Sequence, residues 1–201
     1  MCAPVKCLQL IVLCILIVGL VSGCASLGDQ KVNLLYQPVT QVSGGTGDLY
    51  VVTQTAPASA PRVLGPISDS NGVRTGNLLT DIAPADLLAD AYVRELSRAG
   101  FNVILAQSLP AGAERGLILK KATIELNEEK GLFSAESTGK VDISVEPWRH
   151  GAARESLRYT ADVTDSAVTN RDELPSDTLQ HLVRTIMKRS VPDIIRKLGQ
   201  E

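Results

Sequence analysis

Past residue 24 the chain has no cysteine: its four are Cys2, Cys7, Cys14 and Cys24, and the remaining 177 residues carry none. That excludes a disulfide framework, which would spread an even set through the folded part, and it excludes thiolate metal centres. Histidine is nearly as scarce. His150 and His181 are the only two, neither stands at metal-ligand spacing from another ligand type, and no metal site or cofactor is expected. A Gly-x-Ser-x-Gly nucleophile elbow is also missing. Charge of one sign is lacking too. Twenty basic and 22 acidic residues give a net charge of -2; without residues 1–23, which hold Lys6 and no acid, 19 basic residues face 22 acidic ones, or -3. A nucleic-acid partner, which favours a basic patch or stripe, is therefore not expected.

The first two dozen residues are unlike the rest. Lys6 supplies a positive start, and residues 8–21 form an apolar run of 14 broken only by Gln9 and Gly19. That length suits the core of a signal peptide and falls short of the roughly 20 residues of a spanning helix. Val21-Ser22-Gly23-Cys24 follows, and it resembles the lipobox of bacterial lipoproteins, an aliphatic residue and two small ones before the cysteine. The resemblance implies cleavage between Gly23 and Cys24 and a fatty-acylated Cys24. Two or three acyl chains, at about 0.8 kcal/mol per buried methylene, hold a protein to a bilayer essentially permanently. Ala25 in place of aspartate after the cysteine points, by resemblance to enterobacterial sorting, to the periplasmic face of the outer membrane. The expected organisation is a signal peptide over 1–23, a lipidated tether over 24–31 and one domain over 32–201.

Apolar content of 44% and charged content of 21% predict that this domain folds around one core. Residues 32–36 and 49–53 read as strands around a glycine loop at 43–47, and Asn71-Gly72 between 62–68 and 73–78 signals a hairpin. Because the glycine loop continues into strand and lacks a following Lys-Ser/Thr, it is not a phosphate cradle. Pro84 opens a predicted helix that Gly100 closes, with Leu88, Tyr92, Leu96 and Ala99 on one face, and Phe101, Val103 and Leu105 alternate after it. Three long period-two runs follow. They are Ala122-Ile124-Leu126, Val141-Ile143-Val145 and Leu157-Tyr159-Ala161-Val163, with a phase slip that predicts a bulge near Lys120-Lys121 and a turn at 148–151. A closing helix from about Ser176 carries Leu179, Leu182, Val183, Ile186 and Met187 on one stripe, and Pro192 is expected to kink or restart it. The predicted class is α+β, a two-layer domain with a mainly antiparallel sheet and two helices on one face.

Two charge clusters stand out. Glu125, Glu128, Glu129, Asp142 and Glu146 crowd together in sequence, but Glu125, Asp142 and Glu146 fall opposite the apolar set of their strands and predict a solvated face, not paired acid-base carboxylates. Arg184, Lys188, Arg189, Arg196 and Lys197 line the closing helix, where they suit anionic headgroups or an acidic partner, or plain solvation.

The lipobox at 21–24, the Val32-Asn33-Leu34-Leu35-Tyr36 opening, the helix running into Gly100-Phe101-Asn102-Val103, the meander and the closing helix together resemble the YajG-type bacterial lipoproteins. The same order is similar to the PqiC-type auxiliary lipoproteins of lipid-transporting ABC systems. The resemblance implies a non-enzymatic accessory or binding lipoprotein of the envelope, or an auxiliary of a lipid-transport system, with an envelope protein or lipid as partner. A periplasmic hydrolase is the remaining alternative. Cys24 is the one functional residue the resemblance carries over.

Overall fold

The computed structural model describes residues 28–53 and 61–199. The expected signal peptide over 1–23 and Cys24 lie outside them.

The backbone of the fold is a long antiparallel ladder. Strand β6 (Arg115–Lys130) pairs along its whole length with β7 (Ala135–Arg149), and β7 pairs with β9 (Leu157–Ala167). Alternation explains it: Ile124 and Leu126 of β6, Val141, Ile143 and Val145 of β7 and Ala161 of β9 are all buried, and the residues between them largely face water. The expected bulge is present between Leu119 and Lys121. It lets Leu117 and Leu119 join a core that would otherwise demand even-numbered positions. At the other end of β7, His150 (φ 51°) and Gly151 (φ 74°) make a two-residue connection to the short β8 (Ala152–Ala153). Positive φ at both centres matches the right-handed twist of the strands, and glycine takes it without steric cost.

The opposite edge of β6 is shared. Strand β2 (Asp48–Thr53) lies parallel to its first residues, Tyr50 opposite Gly116, while β3 (Arg62–Asp69) lies parallel to its last, Ile67 opposite Glu128. Outside them, β5 (Asn102–Ala106) runs parallel to β2, β4 (Arg74–Thr80) antiparallel to β3, and β1 (Gln30–Lys31) parallel to β4. Of the eight pairings, four are parallel and four antiparallel, so the sheet is mixed and the expectation of a mainly antiparallel one is corrected. The hairpin at Asn71-Gly72 forms, with Gly72 alone at positive φ (76°): Asp69 accepts from Gly72 N–H, and the glycine ends a three-residue loop.

Both helices pack on one face. Helix α1 (Pro84–Arg98) covers β2, β5 and β6, and α2 (Leu174–Gly199) covers β7, β9 and β6. They meet where the buried Tyr92 hydroxyl donates to Ser190 Oγ at 2.9 Å. Leu88, Tyr92, Leu96 and Ala99 are buried as their spacing predicts, as are Leu179, Leu182, Val183, Ile186 and Met187. Three local expectations are corrected. Leu105 is exposed on its edge strand, so the alternation after Gly100 stops at Val103. The closing helix begins at Leu174, two residues before Ser176, and Pro192 sits inside it without interrupting it. Residues 32–36 form no strand, although Val32 and Tyr36 are buried.

Candidate functional site

The stretch from 32 to 47 lies against the helices, and their side chains replace a strand partner. Arg98 donates to Pro38 O at 2.9 Å, Ser176 Oγ accepts from Asn33 N–H at 3.3 Å, and Gly45 N–H reaches Ala99 O at 3.0 Å. At its centre is Glu95 of α1, fully buried. Its carboxylate accepts from the Tyr36 hydroxyl, from the backbone N–H of Val39 at 2.7 Å and of Thr40 at 3.1 Å, and from the Thr40 hydroxyl. Burial works against its charge, but the donors of Thr40, Tyr36 and Val39 outweigh it, and its pKa lies below the usual carboxylate value. Burial, with the carboxylate beside it, pushes the Tyr36 hydroxyl up. This is a clamp.

The five acids of the sequence cluster separate between the two faces of the sheet. Glu125 and Glu129 are exposed. Asp142 lies on the solvent face under Lys121 Nζ at 2.6 Å and Arg158, whose Nε is at 3.0 Å and whose second nitrogen is at 2.8 Å; the hydrogen bonds from Arg158 and Lys121 hold its carboxyl far below the ordinary range. Glu146 takes Trp148 Nε1–H at 2.7 Å and Lys120 at 3.3 Å. Glu128 points the other way, into the core side, 2% exposed, with neither carboxylate oxygen hydrogen-bonded and Lys130 Nζ at 3.6 Å. Burial raises its pKa, Lys130 only partly opposing. Its cross-strand neighbour Ser137 is buried with an unbonded hydroxyl. Ser137-Thr138-Gly139-Lys140 has Ser-x-x-Lys spacing, but on a strand three residues put the two side chains on opposite faces, the serine buried and the lysine exposed. Ser137 and Lys140 therefore do not form a serine–lysine pair.

His150 is exposed in its turn. His181 faces Asp165 of β9, Nδ1 at 3.1 Å from one carboxylate oxygen and 3.2 Å from the other. Among the described residues no group of three or more His, Cys, Asp or Glu is arranged to hold a metal. The basic residues of α2 do not form one patch: Arg189 donates to Thr160 O at 3.3 Å, Arg196 bonds Asp193, and Lys197 reaches Glu155 at 3.1 Å.

Arg184 and Lys188 instead line a groove of about 600 Å³ between α2 and the end of β9. Asp165, Glu173, Asp177 and His181 share its walls. The helix residues recur every three or four positions, so one stripe of α2 faces the groove while the adjacent stripe fills the core. The other wall is an open strand edge. Among the described residues β9 pairs with β7 alone, and its register has no slip over 11 residues. Residues of an antiparallel strand point both backbone groups either toward the partner or away from it, and Thr160 O, taken by Arg189, points away. The backbone groups of residues 162, 164 and 166 therefore also face outward. The sequence pattern marked this run as a strand but not as an edge, because edge position depends on which strands pair.

No family model matches the chain. No curated protein matches it either. Its solved structural neighbours include a Xanthomonas campestris protein of family model DUF330, at 10% identity and a TM-score of 0.47, covering 83% of this chain and 94% of that one. A minor lipoprotein from Acinetobacter baumannii is 14% identical at a TM-score of 0.36, covering 76% of this chain and 90% of its own. A third, described as an uncharacterized protein, is 10% identical at 0.34, covering 84% and 98%.

Proposed function

We propose that the chain is a non-enzymatic accessory lipoprotein of the bacterial envelope, anchored through an acylated Cys24 at the periplasmic face of the outer membrane, and that it works by binding a protein partner. The lipobox at 21–24 supports the anchor. The observation that carries the binding reading is the exposed edge of β9 beside a polar groove. An extended segment of a partner adds to such an edge through main-chain hydrogen bonds, while side chains along the groove select its sequence. A lipid carrier would need an apolar cavity, and the space between sheet and helices is filled instead by the buried side chains of a single core. An auxiliary role in lipid transport then runs through the transporter's protein parts and not through lipid held in this domain. The hydroxyls of Thr40 and Tyr36, which do meet a carboxylate, are buried with Glu95 inside the clamp.

Thr164→Pro tests this. Its N–H faces the free edge, so proline removes a donor that β7 does not use, and edge strands tolerate it. The lipoprotein should fold and reach the membrane yet lose crosslinks from a photoreactive residue placed at Asp162. If crosslinks to an envelope protein persist in the proline variant, or the wild-type position gives none, strand addition at β9 is wrong.

A further inference from the structure

Four of the large apolar side chains that the fold leaves in water gather at one end of the sheet. Leu132 and Phe133, 85% and 84% exposed, are the central residues of the β6–β7 turn. Val73, 60% exposed, tips the β3–β4 hairpin, and Val168, 72% exposed, follows β9. The pairings fix their common level: Asp69 lies opposite Lys130, and Ala135 opposite Ala167. The β6–β7 tip is held and not loose. Gly131 N–H donates to Ser134 O at 2.8 Å, and Arg171 donates to the carbonyls of Gly131 at 3.0 Å and Leu132 at 3.4 Å. Folding normally hides such residues, and an exposed cluster marks a contact surface.

The start of the described chain runs to the same end. β1 is parallel to β4, which begins at the hairpin tip, so residues before Gln30 head toward that tip. Gln30 is clasped there, its amide donating to Asp172 O at 2.6 Å and accepting from Lys130 Nζ at 2.9 Å, while Asp29 bonds Asn77. Gly28 passes so close to Gly76 that a Cβ at 76 would stand 2.1 Å from Gly28 O. Through Gly76, Ile67 and Glu128, that contact lies three residues short of Gly131, about 10 Å at 3.3 Å per residue. From Gly28 back to Cys24 is four residues, which reach at most about 14 Å. An anchored Cys24 thus keeps Gly28 within about 14 Å of the lipid, and a domain standing on this end brings the four apolar residues to within a few ångströms of it.

We infer that this end of the sheet rests on the bilayer, with Leu132, Phe133, Val73 and Val168 inserted among the headgroups beside the acyl anchor. The inference rests on the acylated Cys24 proposed above. The contact is apolar: Asp69, Glu129 and Asp172 stand around it and offset Lys130, Arg171 and Arg74, so anionic lipid does not drive it. Its consequence is orientation, since it fixes which faces of the domain look into the periplasm.

The mature chain's one other thiol, Cys24, is consumed by acylation, so spin labels can be placed singly. The acylated full-length protein carries a label at Phe133→Cys, at Val73→Cys, which leaves Leu132 and Phe133 in place, or at Leu105→Cys, which is exposed near the opposite end of the sheet. Each is reconstituted in phosphatidylethanolamine–phosphatidylglycerol vesicles, and mass spectrometry of the mature chain reports acylation. Labels at 133 and 73 should lose collisions with a water-soluble nickel chelate and gain them with oxygen, while the label at 105 stays in water; 0.5 M salt should change neither. An acylated protein with 133 and 73 in water overturns the bilayer contact and leaves the anchor standing. Labels wet in vesicles but shielded in native membranes overturn it in favour of a protein partner at the tip. An unacylated mature chain removes the anchor and this inference together.

Discussion

Replacing Glu95 with alanine removes the acceptor of four donors at once: the hydroxyls of Tyr36 and Thr40 and the N–H groups of Val39 and Thr40. All of them surround a residue with no exposed surface, and Tyr36 and Thr40 are 4% and 5% exposed. A buried donor left unpaired costs about 1–3 kcal/mol, so four would cost at least about 4 kcal/mol if nothing moved. Water can enter, and the 32–47 stretch can lift, which recovers part of that; the expected loss is about 3 kcal/mol for Glu95→Ala and about half as much for Glu95→Gln, which keeps the shape but sets an amide donor against donors. Against a typical stability of about 5–15 kcal/mol, both variants stay folded. The sign of the pH effect follows from the lowered pKa of Glu95 in the folded chain. A depressed carboxylate stabilises above its unfolded pKa, and that stability disappears as pH falls through the folded value. Urea unfolding followed by circular dichroism at pH 7 and pH 4 should show the wild type losing more on acidification than Glu95→Gln. Amide exchange at Val39 and Thr40 should accelerate in both variants. Equal midpoints for wild type and Glu95→Ala at pH 7 would refute the clamp. So would an acid response that the glutamine variant shares in full.

Leu182→Ala or Ile186→Ala, each emptying a fully buried site on α2, should cost about 2–5 kcal/mol in the same unfolding assay, with His181→Ala mild by comparison. A histidine variant more damaged than either would put the wrong face of α2 in the core. Glu128 works in the opposite sense to Glu95: its pKa is raised in the folded chain, so its ionisation opposes folding as pH rises above the unfolded value. Glu128→Gln should therefore raise the melting temperature at pH 7 and leave it little changed at pH 4, and a lower melting temperature at pH 7 would mean that the carboxylate has a partner worth more than its burial.

The apolar stripes of α1 and α2, the β6–β7–β9 meander, its bulge and both hairpin turns were legible in the sequence, because each depends on residues a few positions apart. A helix repeats every 3.6 residues, a strand every two, and a phase slip at Lys120-Lys121 is visible wherever one period meets another. The lipobox is local in the same way. The tertiary structure decided the rest. Residues 32–36 alternate like a strand, but alternation reports one buried side and not what lies beyond the backbone; here Val32 N–H goes to Leu79 O and Asn33 N–H to Ser176 of α2, while just beyond, Glu95 and Arg98 of α1 take the backbone of Val39 and Pro38. Glu95 itself reads as an ordinary polar helix position until the 32–47 stretch covers it. The parallel pairings of β2 and β3 with β6, the open edge of β9, and the meeting of Val73, Leu132, Phe133 and Val168 beside the first described residues all join positions tens of residues apart. Such contacts form because one long strand has two edges to satisfy, and no local pattern encodes which segment will satisfy them.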